Sequence, residues 1–255
     1  MTTSQRNTDQ DWKQVAEEDP YWGVLSQDEY RKEAMDANKL KQFMASGETY
    51  TGDLFSFIRR HLSPEFSPMR ALDVGCGVGR LVIPLAKRAQ EAVGVDIAPE
   101  MLRLCNEHAK LAGVENLLLC QSDDDLSLVS GLFDLVNSYI VLQHIPPERG
   151  YRLIQAMLDR LRIGGIGSIQ LTYAKSRKFL VHEEHKALYY RRDGRALIDI
   201  VDSGWSPPTG TINMFDYDLN QVMAILTRVS GVPILTLQTN DDNHLGVHFI
   251  FQKAR

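Results

Sequence analysis

Nine consecutive residues, Asp73-Val-Gly-Cys-Gly-Val-Gly-Arg-Leu81, hold the densest chemical signal in this 255-residue chain. They follow a short apolar strand, Ala71-Leu72, and open into an apolar stretch expected to be helical from Leu81 to Ala89. Gly75, Gly77 and Gly79 let the main chain turn tightly and approach a ligand with no side chain in between. Asp73 ends the strand with a carboxylate. A dinucleotide fingerprint, G-x-G-x-x-G, would need its third glycine at position 80. That position is Arg80, and the glycine falls at 79. Asp73 would also set negative charge beside a pyrophosphate, which is unfavourable. The run therefore points away from dinucleotides, although a ligand-free glycine turn has the same composition.

Three further segments stand at predicted strand ends. Val93-Gly-Val-Asp-Ile97 places Asp96 23 residues after Asp73. A carboxylate there can accept both hydroxyls of a ribose, or cap the helix that opens at Pro99. Gln121-Ser-Asp-Asp124 follows the third strand, and Phe133-Asp-Leu-Val-Asn-Ser-Tyr139 forms the fourth. Open α/β sheets bind ligands at the carboxyl ends of their strands, where all four segments lie. In order and content they resemble the class I S-adenosylmethionine-dependent methyltransferases. The resemblance is firm over residues 70–173 and looser at the terminal hairpin.

That resemblance implies S-adenosyl-L-methionine as cofactor and S-adenosyl-L-homocysteine as product. The donor carries an ammonium and a sulfonium and no phosphate, so a carboxylate at Asp73 suits it. Carried over residue by residue, the family pattern implies cofactor contacts from Asp73, Gly75, Cys76, Gly77, Gly79 and Arg80. Asp96 would take the ribose, with Ile97 and Met101 of Asp96-Ile-Ala-Pro-Glu-Met101 sandwiching the adenine. Asp123 would reach the adenine amino group, with Ser122 and Asp124 beside it. Ser138 and Tyr139 would back the methionine moiety. Met101 also fits a plain core position, and residues 122–124 a solvated acidic loop.

Methyl transfer is an in-line displacement accelerated by holding nucleophile and methyl group in line. An oxygen nucleophile often needs a base as well. His144, in Val141-Leu-Gln-His-Ile-Pro146, follows the fourth strand, and its ordinary pKa near 6.5 suits that work; a hydrogen-bonded structural role is the alternative. His182, His185 and His244 are weaker candidates. His182 and His185 lie three apart, but no third ligand at a defined spacing accompanies them, so no metal is expected.

The elements that must position these residues read as an α/β fold. A Rossmann-like, doubly wound, mostly parallel seven-stranded sheet is expected, with a terminal antiparallel hairpin, N-terminal helices and an inserted cap. Residues 1–20 are polar and read as frayed. Ser26-Gln-Asp-Glu29 reads as a capping box for a helix carrying Tyr30, Ala34, Ala37, Leu40 and Met44, broken at Ser46-Gly47-Glu48. Leu54 to Leu62 is a second helix. Strands are expected at Ala92–Asp96, Leu117–Cys120, Phe133–Tyr139 and Ile166–Tyr173, and helices at Pro99–Ala112 and Pro147–Arg162. Asp218 is expected to cap a helix through Gln221, before strands Pro233–Gln238 and Leu245–Phe251. The domain reading is a helical lid over 1–66 and a cofactor-binding domain over 67–255, with 174–215 as an inserted cap facing the acceptor.

Composition narrows the partners. Hydrophobic content of 44% and charged content of 24% suit a soluble globular chain, with no run near the ~20 apolar residues of a membrane span. The start lacks the apolar stretch of a secretory signal, and three cysteines fit no disulfide framework; a cytoplasmic setting follows. A net charge of −5 gives no broad nucleic-acid face, and no N/D-P-P-Y-like element follows the fourth strand. The acceptor is expected to be a small molecule. The basic cluster Lys175, Arg177, Lys178, Lys186, Arg191, Arg192 and Arg195 fits an anionic acceptor or a solvated face, and Tyr21, Trp22 and Trp205 could stack on a ring or sugar. A non-catalytic protein of the same fold, or one using it for aminopropyl transfer, is the competing reading.

Overall fold

The computed structural model describes residues 7–175, 188–193, 196–201, 214–230, 233–241 and 244–254. Seven strands form one sheet: β1 (Arg70–Val74), β2 (Glu91–Asp96), β3 (Leu117–Gln121), β4 (Phe133–Ser138), β5 (Leu161–Lys175), β8 (Leu235–Asp241) and β9 (His244–Gln252). Their order is β3-β2-β1-β4-β5-β9-β8. The first five run parallel, and β9 pairs antiparallel with both β5 and β8. β6 (Leu188–Asp193) and β7 (Ala196–Val201) make a separate antiparallel pair.

Neighbouring residues of β1 serve opposite faces, as a period of two requires. Leu72 and Val74 join the core formed with Leu153, Ile154, Met157 and Leu158 of α6 (Pro147–Arg160), and Val222 and Leu226 of α7 (Leu219–Leu226) belong to the same core. Ala71 faces the other way, toward Leu54, Phe55 and Ile58 of α3 (Ala37–His61). Beside that second layer lie α4 (Val82–Ala86) and α5 (Pro99–Leu111). Each such large apolar side chain contributes about 1.5–3 kcal/mol by leaving water. With both faces covered, β1, β2 and β4 are continuous buried runs rather than alternating ones.

The N-terminal third departs from its sequence reading. Residues 8–18 are not frayed: they form α1 (Thr8–Glu18), which buries Val15 and Ala16 and is followed by α2 (Pro20–Val24). No long helix starts at the Ser26–Glu29 box, where a single 3-10 turn spans Asp28–Tyr30. Asp19 accounts for this, because it accepts from Lys32 N at 2.9 Å and Arg31 Nη1 at 3.2 Å and ties the segment back to the α1–α2 junction. The helix begins instead at Ala37, capped by Asp36 accepting from Lys39 N at 2.9 Å. It then runs unbroken through Ser46-Gly47-Glu48 to His61. Gly47 is a close approach and not a break: a Cβ there would lie 1.8 Å from the carbonyl oxygen of Arg80.

Smaller differences follow from local chemistry. The helix read over Leu81–Ala89 is only α4, Val82–Ala86, ending in turns at Lys87–Arg88. α6 ends at Arg160, and β5 starts directly at Leu161, absorbing Gly164 at φ 80° through a register shift against β4. Asp218 caps α7, its Oδ1 accepting from Asn220 N at 2.9 Å. β8 and β9 reach Asp241 and His244, further along the hairpin than read. Most of the expected cap lies outside the described residues, including His182, His185 and Trp205.

Candidate functional site

The strand order reverses between β1 and β4, and a cleft opens there at the carboxyl ends of the strands. The glycine loop forms its floor. Gly75, Gly77 and Gly79 all have positive φ, at 77°, 51° and 98°. Gly75 N and Cys76 N donate to Val95 O at 2.8 and 2.9 Å, fastening the loop to β2. Gly79 does not line the cleft; a Cβ there would strike Ile83 Cδ1 and Cys105 Sγ at 2.8 and 2.9 Å. Its role is to seat the loop on α4 and α5. His108 Nδ1 lies 2.8 Å from Val78 O and its Nε2 3.1 Å from the Tyr21 hydroxyl, so α2, α5 and the loop are held as one unit.

Three charged side chains meet in this floor. Asp73 is 2% exposed, and Asn137 Nδ2 donates to its Oδ1 at 2.8 Å. Burial pushes the Asp73 carboxyl up to about 7, against the pull of Asn137 and the Arg80 guanidinium. Arg80 is itself buried, and its Nε has no hydrogen-bond partner. Burial lowers its pKa, while Tyr50, Asp73, Tyr139 and Tyr30 favour the cation. Asp96 Oδ2 accepts from Gly77 N and Oδ1 from Ala98 N, both at 2.9 Å. It therefore shapes the loop and caps the approach to α5 together, and burial still raises its pKa.

Ile97, Met101, Ser122, Asp123, Asp124, Tyr139 and His144 line the same cleft, with Cys76 and Gly77. Met101 is 2% exposed and shares a core with Ile97 and Val24. Asp123 turns its carboxylate on its own loop, accepting from Asp125 N at 3.1 Å, from Ser127 N at 2.9 Å and from the Ser127 hydroxyl. The bond from Ser127 lowers its pKa. Ser138 does not reach the cleft, because its hydroxyl donates to Val74 O at 3.1 Å. Ile140 beyond it holds φ 61°, a costly conformation for a β-branched residue, pinned by Ile140 N donating to Gln170 Oε1 at 3.0 Å. His244 sits at the hairpin between β8 and β9, with Asp241 O 3.1 Å from its Nδ1, and is not among the cleft residues.

Other wall residues were not anticipated. Trp12 of α1 lies edge-on to the His144 ring, with centroids 4.8 Å apart. Arg149 of α6 pairs with Asp9 of α1 at 2.8 Å and with Asp124 at 2.8 Å. Its pKa is raised by Asp124 and then Asp9. Thr8, Asp9, Trp12, Gly23 and Val24 bring α1 and α2 over the opening. The spacing of Trp12, Val15 and Ala16 was the available signal, one apolar stripe at helical period. Among the described residues no group of three or more His, Cys, Asp or Glu side chains is arranged to hold a metal ion. Among them, too, no helix is long and apolar enough to cross a membrane.

A seven-stranded sheet of this kind is shared with solved structures of methyltransferases. Residues 71–165 match the family model described as a methyltransferase domain. The matched segment carries the glycine loop, Asp96 and His144. A ubiquinone biosynthesis O-methyltransferase of Xanthomonas euvesicatoria pv. vesicatoria is 33% identical over 102 residues, 40% of this chain and 42% of that protein. The match thus spans about two-fifths of the relative's length. Magnesium protoporphyrin IX methyltransferase from Synechocystis PCC 6803, solved with bound S-adenosylhomocysteine, superposes with a TM-score of 0.62 at 16% identity over 92% of this chain and 93% of that one. The N-methyltransferase NodS from Bradyrhizobium japonicum WM9 gives 0.59 at 16% identity over 98% and 100%.

Proposed function

We propose that the chain transfers the methyl group of S-adenosylmethionine to an oxygen of a small molecule and releases S-adenosylhomocysteine. The observation that carries this reading is that one cleft floor holds two buried groups of opposite charge type, Asp73 and Arg80, beside the Asp96-braced glycine loop. A zwitterionic amino-acid end suits that pair, with its ammonium on Asp73 and its carboxylate on the unpartnered Arg80 Nε. Asp96 would take the ribose hydroxyls, and Ile97 and Met101 would flank the base. Ser122, Asp123 and Asp124 would form its polar rim. Gly75, Cys76 and Gly77 would lie against the ligand as main chain, with Gly79 and Ser138 acting only through the loop and strand that they fix.

The cofactor supplies a sulfonium-activated methyl group. His144, which lines the cleft, would take the acceptor's proton as the oxygen–methyl bond forms and the sulfonium–methyl bond breaks. Tyr139, whose hydroxyl burial keeps protonated, can donate a hydrogen bond to the same acceptor. Helices of residues 1–66 act as the lid, residues 67–255 as the catalytic domain, and 174–215 as the cap that contacts the acceptor. An anionic or sugar-like acceptor is favoured by the basic residues of that cap. The three unpaired cysteines support a cytoplasmic setting. The O-methyltransferase relative supports oxygen as the target atom.

Transfer of labelled methyl from S-adenosylmethionine into a small-molecule extract tests the proposal. An O-methylated product is expected. Binding of S-adenosylhomocysteine with no transfer to any fraction would instead indicate a non-catalytic binding protein, and NADH binding with no adenosyl ligand would reject the cofactor.

A further inference from the structure

A polar chain crosses the sheet beneath the cleft. Register places Asp73 of β1 beside Asn137 of β4, and Asn137 beside Ser168 of β5. Asn137 Nδ2 donates to Asp73 Oδ1 at 2.8 Å, while Asn137 Oδ1 accepts from the Ser168 hydroxyl at 2.8 Å and the Tyr50 hydroxyl at 3.2 Å. The chemistry fixes the amide orientation, because only the NH₂ side can face a carboxylate and only the oxygen can accept two hydroxyl protons. Ser168 Oγ, its proton spent on Asn137, lies 2.8 Å from His248 Nε2 and accepts from it. Burial holds that imidazole neutral by lowering its pKa to about 4. Asn137, Ser168 and His248 are all buried, and none of the three lines the cleft.

We propose that Asn137 is a positioning residue for the methyl donor: gripped by Tyr50 and Ser168, it holds one oxygen of Asp73 and leaves the other for the ligand's ammonium. The inference rests on the cofactor reading above. Asn137 touches neither ligand nor reacting atoms and acts through the charge and direction of Asp73. The groups facing Asp73 are Arg80 and Cys76 from the glycine loop, Asp96 from β2 and Tyr50 from α3. Of these Arg80 alone is cationic, and it makes no hydrogen bond to Asp73. Asn137 is thus the hydrogen-bond donor that favours the ionised form of Asp73 against burial.

The sign of the pH effect follows. The ammonium binds the ionised carboxylate, so affinity is complete above the Asp73 pKa and falls as pH drops through about 7. Below it, one proton competes with the ligand, and affinity falls tenfold per pH unit. Removing the Asn137 donor raises the pKa and moves the midpoint to higher pH.

The experiment is calorimetric titration of S-adenosylhomocysteine from pH 5.5 to 8.5. It compares wild type with Asn137→Ala and Tyr50→Phe, all checked for fold by circular dichroism. Wild type is expected to show a midpoint near 7, Asn137→Ala a midpoint roughly one pH unit higher, and Tyr50→Phe a smaller shift in the same direction. If Asn137→Ala does not fold, Tyr50→Phe alone decides the direction. Tight binding by wild type with unmoved midpoints in the folded variants overturns the positioning role and leaves the cofactor reading intact. No binding by wild type at any pH overturns both.

Discussion

Replacing Gly47 with alanine separates two views of the N-terminal helix. Propensity alone says that the change helps, since alanine is favoured over glycine in a helix interior by about 1 kcal/mol. The packing says otherwise. A Cβ at Gly47 would sit 1.8 Å from Arg80 O, 2.7 Å from its carbonyl carbon and 3.0 Å from its Cγ. Main-chain atoms cannot swing aside as a side-chain tip can. The loop bearing Arg80 is moreover tied by Gly75 N and Cys76 N to Val95 O and by Gly77 N to Asp96. Helix and loop must therefore part by more than an ångström, at the upper end of the overpacking range, about 3 kcal/mol. The net loss is about 2 kcal/mol, a fall in Tm of about 4–8 °C for a chain of this size. S-adenosylhomocysteine should also bind more weakly, because Arg80 moves with the loop. Gly52→Ala is the internal control: it lies in the same helix, its Cβ would meet only Arg88 Nη2 at 3.9 Å, and it should gain about 0.5–1 kcal/mol. Thermal unfolding followed by circular dichroism reads both. A Gly47→Ala protein melting at or above wild type would refute the claim that α3 is seated on the glycine loop.

Two further changes test the site. Asp96→Ala leaves Gly77 N and Ala98 N without their acceptor, and the loss of charged hydrogen bonds should weaken S-adenosylhomocysteine binding by about 1–3 kcal/mol in calorimetry; an unchanged Kd would reduce Asp96 to a cap. His144→Ala should lower turnover by roughly 10²–10⁴ while leaving S-adenosylhomocysteine affinity nearly as it was, and retained turnover would remove His144 as the base.

The glycine-loop side of the cleft was legible because its signals are local. A glycine loop, an acidic strand end before it and an acidic strand end before Pro99 are each contained in fewer than ten residues, and strand-helix alternation from residue 71 to 173 orders them. Errors arose where a local signal lost to a distant contact. The Ser26–Glu29 box gave way because Asp19 holds Lys32 N and Arg31. Gly47 read as a helix break because its reason, the carbonyl of Arg80, lies 33 residues away. Residues 8–18 read as frayed because Trp12, Val15 and Ala16 make a stripe too narrow to stand out among polar neighbours.

The same distinction governs what chemistry can be read at all. Asp73 announces itself by standing beside glycines, whereas Asn137 looks like one polar residue in an apolar strand. Only the register Asp73–Asn137–Ser168 shows that three strands spend buried polar groups on a single carboxylate. A lone buried asparagine costs stability unless its hydrogen bonds are met, so a polar residue inside a fully buried strand such as Phe133–Ser138 is itself a signal that a partner waits across the sheet. By that reasoning the acceptor's contacts belong to the illegible kind. They depend on which side chains from separate elements meet at the cleft, as Trp12 of α1 meets His144, and no short run of sequence records such a meeting.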